Sequence, residues 1–563
     1  MKIRKISYLL AAVLLTTSCK KNFLERYPQD QLVDQTYWSS ETNVRTFAWG
    51  FYTSYFDGYG SSFTFGKFFS GQSLNDDFAP STPPQFTRVV PSSGGGWTFS
   101  LVRKANIMIN RVQNAQLSDE AKKHWTGIGR FFRALEYHDL VKRFGDVPWY
   151  EKELTESDPE LYKPRDSRVF VMDKVLSDFQ YAAENVRVSD GTEGLTVNKY
   201  VVLALMSRVF LFEGTYLKYH NIDQTKATEY LQASQWAANE IIKSNKYSIT
   251  DNFRSVFNSL DLAGKKEVIL YRQYESGLVT HSLHSYVNAE PQTGASKDAI
   301  ESFLAKDGLP IKVSPQYQGD KTIAQTMANR DPRLTETIFP ELRLKGVVPN
   351  YSTSGYSVRK FFNEAIKDLP EGSSNLNRTD APVIRYGEVL LNYAEATAEL
   401  GLLTQADLDK TINRLRARPG IGMPALQTMG SQPAVNGVVY NDPDRDLSIS
   451  AMIWEIRRER RTELMFEGFR LDDLKRWKKL EYTDTQGNPD INRGAWIRKA
   501  DYPSLHADVR IENNAAEGYI VPAQAAGSQR LFTDPKVYLE PIPLDQINLY
   551  KSNGVELKQN PGW

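Results

Sequence analysis

Four stretches of the chain repeat apolar residues at the spacing of a helix that buries one face. Val171, Val175, Phe179, Ala182 and Val186 form one stripe, and Val201, Leu205, Val209, Phe212 and Tyr216 form the next. Ala227, Tyr230, Leu231, Ser234, Ala238 and Ile241 give a third; Tyr386, Val389, Leu390, Tyr393, Ala394, Thr397 and Leu400 give a fourth. Recurrence at i, i+3, i+4 and i+7 belongs to the α-helix and not to a period-two strand. Further helices are expected over Ala105–Val112, Ile128–Phe144, Leu408–Arg416 and Ile449–Phe466, about eight in all. They fall into neighbouring pairs: Thr196–Asn198 is a start signal and Gly401 a stop. Small residues (Ala182, Ala204, Ala238, Ala394) recur where two helices have to come close. The pattern predicts a mainly α fold of tetratricopeptide-like helix pairs, its period broken by long insertions.

The helical scaffold is expected mainly in 97–245 and 381–480. Irregular segments occupy mainly 51–96, 246–380 and 481–563, with minor β structure at Glu267–Tyr271 and Ser357–Phe361 and turn signals such as Asp307-Gly308. Loops of this length are functional or disordered. Their aromatic content argues against disorder, since the chain holds 29 Tyr, 27 Phe and 10 Trp. Such residues serve equally to stack on sugar rings and to pack loops. Lys plus Arg number 69 against 68 Asp plus Glu, so no net field draws the chain to nucleic acid. A mean hydropathy of −0.47 excludes an integral membrane bundle.

The N-terminus has a different logic. Lys2, Arg4 and Lys5 precede an apolar run, Tyr8–Leu15, too short to span a bilayer; Thr16, Thr17 and Ser18 then lead into Cys19. Residues 1–18 therefore read as a lipoprotein signal peptide, with Cys19, the sole cysteine, as the lipidated new N-terminus. Leu15 lies one position further from Cys19 than the usual leucine. No disulfide is possible within the mature chain, so the fold stands on its core.

Motifs of chemistry are scarce. Glu459 and Glu463 share a helix face, but each has arginines within helical reach, which predicts an ion-pair network and not a general acid. Asp442, Asp444 and Asp446 alternate as in a calcium loop, yet Leu447 stands where the loop needs glycine and Ile453 where it needs glutamate. Asp446 and Ser448 are expected instead to cap the following helix. His281 and His284 have no carboxylate or cysteine beside them. No nucleophile elbow, phosphate loop or dinucleotide fingerprint is present. Gly94-Gly95-Gly96 before Trp97 reads as a hinge. The expectation is no catalytic residue, no metal ligand and no cofactor.

Five segments in order along the chain resemble the SusD/RagB family of outer-membrane nutrient-binding lipoproteins. They are Asn22-Phe23-Leu24-Glu25 with Pro28 and Tyr37-Trp38; Asp307-Gly308-Leu309-Pro310 with Asn329-Arg330-Asp331-Pro332-Arg333-Leu334; Ile384–Leu391 with Tyr393-Ala394-Glu395-Ala396; Glu459-Arg460 through Arg476-Trp477; and Pro541-Ile542-Pro543 with Gln559–Trp563. The resemblance implies one SusD-like domain over 19–563: a right-handed superhelix of four tetratricopeptide-like helix pairs, covered on one side by irregular segments that build a shallow binding surface. It implies a partner, a SusC-like TonB-dependent transporter barrel, over which the lipoprotein acts as a lid. It places the chain on the outer membrane, lipid-anchored through Cys19 and exposed at the cell surface, although Lys20-Lys21 stands where many exposed members are acidic. Its ligand would be an oligosaccharide; the alternatives are a peptide or, as an enzyme, a glycoside hydrolase. On that reading the candidate ligand residues are Asp77 and Arg88, as charge-assisted hydrogen-bonding groups, and Phe86 and Trp97, as stacking platforms. Tyr274, Tyr286 and Gln292 would join them from the central insertion.

Overall fold

The computed structural model describes residues 37–69, 74–525 and 529–563; the leader and Cys19 lie outside the described residues. The apolar stripes become the buried faces of a helical stack. After α1 (Glu41–Trp49) come α2 (Ser100–Asn114), α3 (Asp119–Phe144), α4 (Arg168–Asn185), α5 (Lys199–Tyr219) and α6 (Gln224–Ser244), each packed on the next from α2 onwards. Capping side chains fix where they begin. Ser118 and Ser167 accept from the third amide of α3 and α4; Asn198 and Asp223 do the same for α5 and α6. Close approach is achieved at Gly214 of α5, where a Cβ would lie 2.8 Å from Leu231 Cγ and 3.0 Å from the Ala227 carbonyl oxygen of α6. By length and composition α5 could cross a membrane, but 89% of its apolar window is buried, as in the core helix of a globular fold.

The central insertion carries the short α7 (Lys297–Glu301). The scaffold resumes with α8 (Tyr386–Glu399), which packs on α5 and α6 and stops before Gly401, at φ +71°. Then follow α9 (Gln405–Asp409), α10 (Ile412–Arg416), α11 (Ala451–Leu464), α12 (Arg470–Arg476) and, near the C-terminus, α13 (Leu544–Ser552). Two local expectations need correction. The single helix expected over Leu408–Arg416 is divided at Thr411, whose hydroxyl bonds back to the Asp407 carbonyl and competes with the helical ladder. The cap of α11 is Ser450, not Asp446 or Ser448, which bond to each other (2.6 Å).

Strands are few. β1 (Phe78–Ala79), β2 (Val268–Arg272), β3 (Gly294–Ala295) and β4 (Ala381–Arg385) form two antiparallel pairs, β1 with β3 and β2 with β4. β5 (Gln427–Met429), β6 (Gln432–Val435) and β7 (Val438–Val439) make a small meander; β8 (Trp496–Arg498) pairs with β9 (Glu517–Tyr519). The strand expected at Glu267–Tyr271 is β2. Ser357–Phe361 is not a strand: its one bridge joins Val358 to Ile338, and the Arg359 and Lys360 amides both donate to the Thr337 carbonyl at the end of a short helix.

The apolar side chains divide into two large clusters. One fills the helical stack, including Phe131, Phe179, Phe210, Tyr230 and Leu390. The other holds the insertion and C-terminal loops together, including Phe78, Leu283, Phe303, Phe361 and Ile520. Between them runs a buried ionic layer. Glu463 pairs with Arg385 (2.8 Å), Arg333 (3.0 Å) and Arg418 (3.0 Å), and Glu459 pairs with Arg333 (2.6 Å) and Arg416 (2.9 Å). Glu267 bridges Arg385 and Arg418 at 3.1 and 2.7 Å. The network read from Glu459 and Glu463 is thus present and ties α11 to β4 and the insertion.

Candidate functional site

A cleft of about 600 Å³ opens between α7, the turn at 310–312, the loop before α11 and the segment 477–488. One wall follows from helix geometry. Trp454, Arg457, Arg458 and Arg461 recur at i, i+3, i+4 and i+7, so they project from one side of α11 and line the cleft together. Carboxylates from loops and from neighbouring helices hold each in place. The Trp454 indole N–H donates to Asp442 (3.0 Å), and Arg458 pairs with Asp442 and Glu455. Arg461 bonds Asp77 (2.8 Å) and Asp298 (2.7 Å). Arg470 forks onto Asp76 at 2.7 and 2.6 Å. Burial alone would raise the Asp76 carboxyl, but Arg461 and Arg470 override it and hold it at about 2.

The floor is aromatic. The Arg457 guanidinium lies 4.4 Å from the Trp477 ring and 4.8 Å from Tyr219, and donates to Glu399 (3.2 Å). Tyr482 lines the cleft half-buried, its hydroxyl donating to Asp446 (2.6 Å), which also pairs with Lys479 (2.7 Å). Lys312, Asp444 and Glu481 stand exposed at the rim, and the Asn488 amide donates to Asp298 (2.9 Å). The surface therefore offers two half-buried rings, Trp454 and Tyr482, among polar groups whose positions are fixed by their own ion pairs.

The residues singled out from the sequence distribute unevenly. Asp77 is buried behind the cleft wall on Arg461, so its carboxylate is committed to an ion pair. Phe86 packs on Phe532 (5.9 Å) in the small cluster that includes Trp477 and Tyr482, beside the cleft. Arg88 is exposed and donates to Gln85 (3.3 Å). Trp97 is buried against Phe144 (5.0 Å) and Phe99 (5.6 Å) and lines a different cleft, of about 700 Å³, with Tyr150, Tyr162 and Tyr550. The three insertion residues are not brought to the first cleft. Tyr274 is buried and its hydroxyl donates to the Gly60 carbonyl (2.8 Å). Tyr286 packs on Phe65 (4.7 Å), its hydroxyl accepting from the Thr293 amide. Gln292, 3% exposed, accepts from the Val358 amide (2.9 Å). Tyr274 and Gln292 hold loops together through their oxygens, which are buried and bonded to backbone groups.

His281 is buried and its Nε2 meets the Thr379 carbonyl (2.9 Å); burial is the largest influence on its ring and pulls it down to about 3. The His284 nitrogens meet the Gly372 and Asn363 carbonyls. Among the described residues no three His, Cys, Asp or Glu side chains gather as a metal site. Sequence reasoning missed Trp454, Tyr482, Lys312 and Glu481. The stripe from Trp454 to Arg461 was present as a signal, but its charge hid it inside the dense run of arginines.

Residues 266–563 match the family model described as the SusD family, and residues 96–211 match one described as starch-binding associating with outer membrane. SusD-like protein P38 of Formosa agariphila is 24% identical over 515 residues, covering 84% of this chain and 91% of that protein. A SusD-like carbohydrate binding protein from Bacteroides fragilis superposes with a TM-score of 0.67 at 22% identity, over 91% of this chain and 99% of that one. A laminarin binding SusD-like protein does so with 0.56 at 18%, over 93% and 100%. These structural likenesses establish the helical fold, and the family model, spanning more than half of the sequence, establishes the kinship: the chain belongs to the SusD family.

Proposed function

We propose that the protein is a non-catalytic carbohydrate-binding lipoprotein that takes an oligosaccharide into the cleft beside α11. It then delivers the ligand to a partner TonB-dependent transporter. The observation that carries the binding reading is the make-up of that cleft, in which the rings of Trp454 and Tyr482 lie among pre-paired charges of both signs. A sugar presents an apolar face to a ring and hydroxyls to its edges. Carboxylates and guanidinium groups already paired keep lone pairs and N–H groups for those hydroxyls at no cost in reorganisation. The mixture of signs favours a neutral polyhydroxylated ligand over one of a single charge. The likeness to a SusD-like carbohydrate binding protein and to a laminarin binding one supports the same ligand class.

Asp442 and Asp76 in the cleft are bound to arginines, and Glu459 and Glu463, which share a helix face, lie in the ionic layer and not in the cleft. This supports binding without turnover. The description of the second family model supports an outer-membrane location, and the short apolar leader with its single cysteine supports a lipid on Cys19; exposure at the cell surface follows from the family resemblance, with Lys20-Lys21 departing from its acidic signal. Calorimetry on purified protein tests the ligand claim. An oligosaccharide is expected to bind with Trp454→Ala weakening it about tenfold, the size of one lost stacking contact. Heat with a peptide mixture alone would overturn the carbohydrate reading, and release of reducing ends from a bound polysaccharide would overturn the non-catalytic one.

A further inference from the structure

A second pair of rings faces solvent outside the cleft. Along β8 the neighbours of Trp496 turn inward: Ala495 and Ile497 are each 2% exposed and belong to the insertion core. Just past the partner strand β9, Ile520, 1% exposed, does the same. Alternation along a strand then puts Trp496 and Tyr519 on the opposite face, and the register sets them directly across from one another. Both are half-buried. The Lys321 ammonium lies 5.4 Å from the Trp496 ring and 5.0 Å from Tyr519, and the Tyr519 hydroxyl donates to Asp320 (2.6 Å). A cross-strand aromatic pair fixed in this way, with the Lys321 ammonium against both rings and a carboxylate on the Tyr519 hydroxyl, has the elements of a stacking platform.

The platform is continuous with the cleft through α7. Asp298 and Glu301 of this short helix line the cleft. Lys297 of the same helix bonds Glu301 (2.5 Å) and Asp490 (3.0 Å), and its ammonium lies 5.2 Å from the Tyr519 ring. One lysine thus contacts both a carboxylate in the cleft wall and a ring outside it, so α7 joins the cleft wall to the platform. We propose that Trp496 and Tyr519 form an outer stacking subsite, so that the bound ligand is an extended oligosaccharide running from the Trp454–Tyr482 cleft over α7 onto the β8–β9 face. The inference rests on the carbohydrate reading of the cleft and adds to it a length requirement.

The test is affinity electrophoresis of the full chain against starch, laminarin, xylan and alginate, followed by calorimetry with a length series of the one that retards it, from disaccharide to decasaccharide. Affinity is expected to rise with length and then level off. Trp496→Ala combined with Tyr519→Ala is expected to cost about tenfold on the long chains and nothing on the short ones. Trp454→Ala weakens both. Trp496→Leu keeps an apolar contact on the hairpin while removing the flat ring, so it gives the same long-chain loss if stacking is the cause and guards against a folding defect. If the platform variants leave long-chain binding unchanged, or weaken short and long chains alike, while Trp454→Ala still weakens binding, the outer subsite falls and the cleft reading stands. If none of the four polysaccharides retards the protein, both fall.

Discussion

At the scale of single residues, the most consequential side chain is Glu463. It meets three arginines from three separate segments, Arg333, Arg385 and Arg418, all of them buried. A buried ion pair adds little over an apolar replacement, but removing one partner strands the others' charges in a medium that cannot solvate them. Glu463→Gln keeps the shape and removes the charge; it is expected to cost about 3–5 kcal/mol. Denaturant titration reads this, and a shift under about 1 kcal/mol would mean that water reaches the layer. The same chemistry sets the acid limit. Burial alone would raise the Glu395 carboxyl, but Arg476, with Arg460 and Arg457, holds it at about 2; Asp76 is likewise held at about 2. A carboxylate depressed in the folded state stabilises it above the ordinary carboxylate pKa and loses that contribution as pH falls towards the folded value. Stability from these groups is therefore level from pH 8 to about 5 and declines below about 4. Glu395→Gln is expected to flatten part of that decline, and an identical acid slope in the variant would refute the assignment.

At the scale of elements, the helices were legible and the site was not. The stripes from Val171 to Ile241 and from Tyr386 to Leu400 became α4, α5, α6 and α8 because a 3.6-residue period survives in sequence wherever one face is buried. The cleft joins the α11 stripe, which has a helical period, to α7, the turn at 310–312, the 442–449 loop and 477–488, pieces that are brought together only by tertiary pairing and that no local period announces. Asp77, expected as a ligand group, is buried behind the wall of the cleft, where it anchors Arg461. The loop aromatics Tyr274 and Tyr286 misled because packing a loop and presenting a ring to a ligand demand the same residue types. Helix contact itself can be tested at Gly214, where a methyl would meet the Ala227 carbonyl oxygen, a backbone atom that cannot rotate away. Gly214→Ala gains about 1 kcal/mol of helix propensity but forces α5 from α6, for a net loss of about 1–2 kcal/mol. A raised unfolding midpoint would show that the two helices can separate freely.

At the scale of the whole molecule, the division into two apolar cores raises the question of whether they unfold separately. The strand pair β2–β4 is their shared wall. Ile269, Leu270 and Ile384 belong to the helical core, whereas Val268, Tyr271 and Ala381 belong to the insertion core. α11 is shared in the same way, with Ile456 and Leu464 in the first core and the residues that follow it, Met465 and Phe466, in the second. Melting either core alone would strip one face of a strand pair buried on both sides and expose the ionic layer beside it. That loss of apolar burial, at about 25 cal/mol per Å², falls on both cores at once and couples them. Scanning calorimetry is accordingly expected to show one transition, with the near-ultraviolet signal of the aromatic residues and the far-ultraviolet helical signal disappearing together. Two resolved peaks, or helical signal persisting after the aromatic signal has gone, would mean that the insertion is a separate cooperative unit docked on the helices. The distinction bears on binding, because the cleft takes Trp454 from a scaffold helix and Asp298 and Glu301 from the insertion. Only a molecule whose two halves hold or lose their order together keeps those groups at a fixed separation for a ligand.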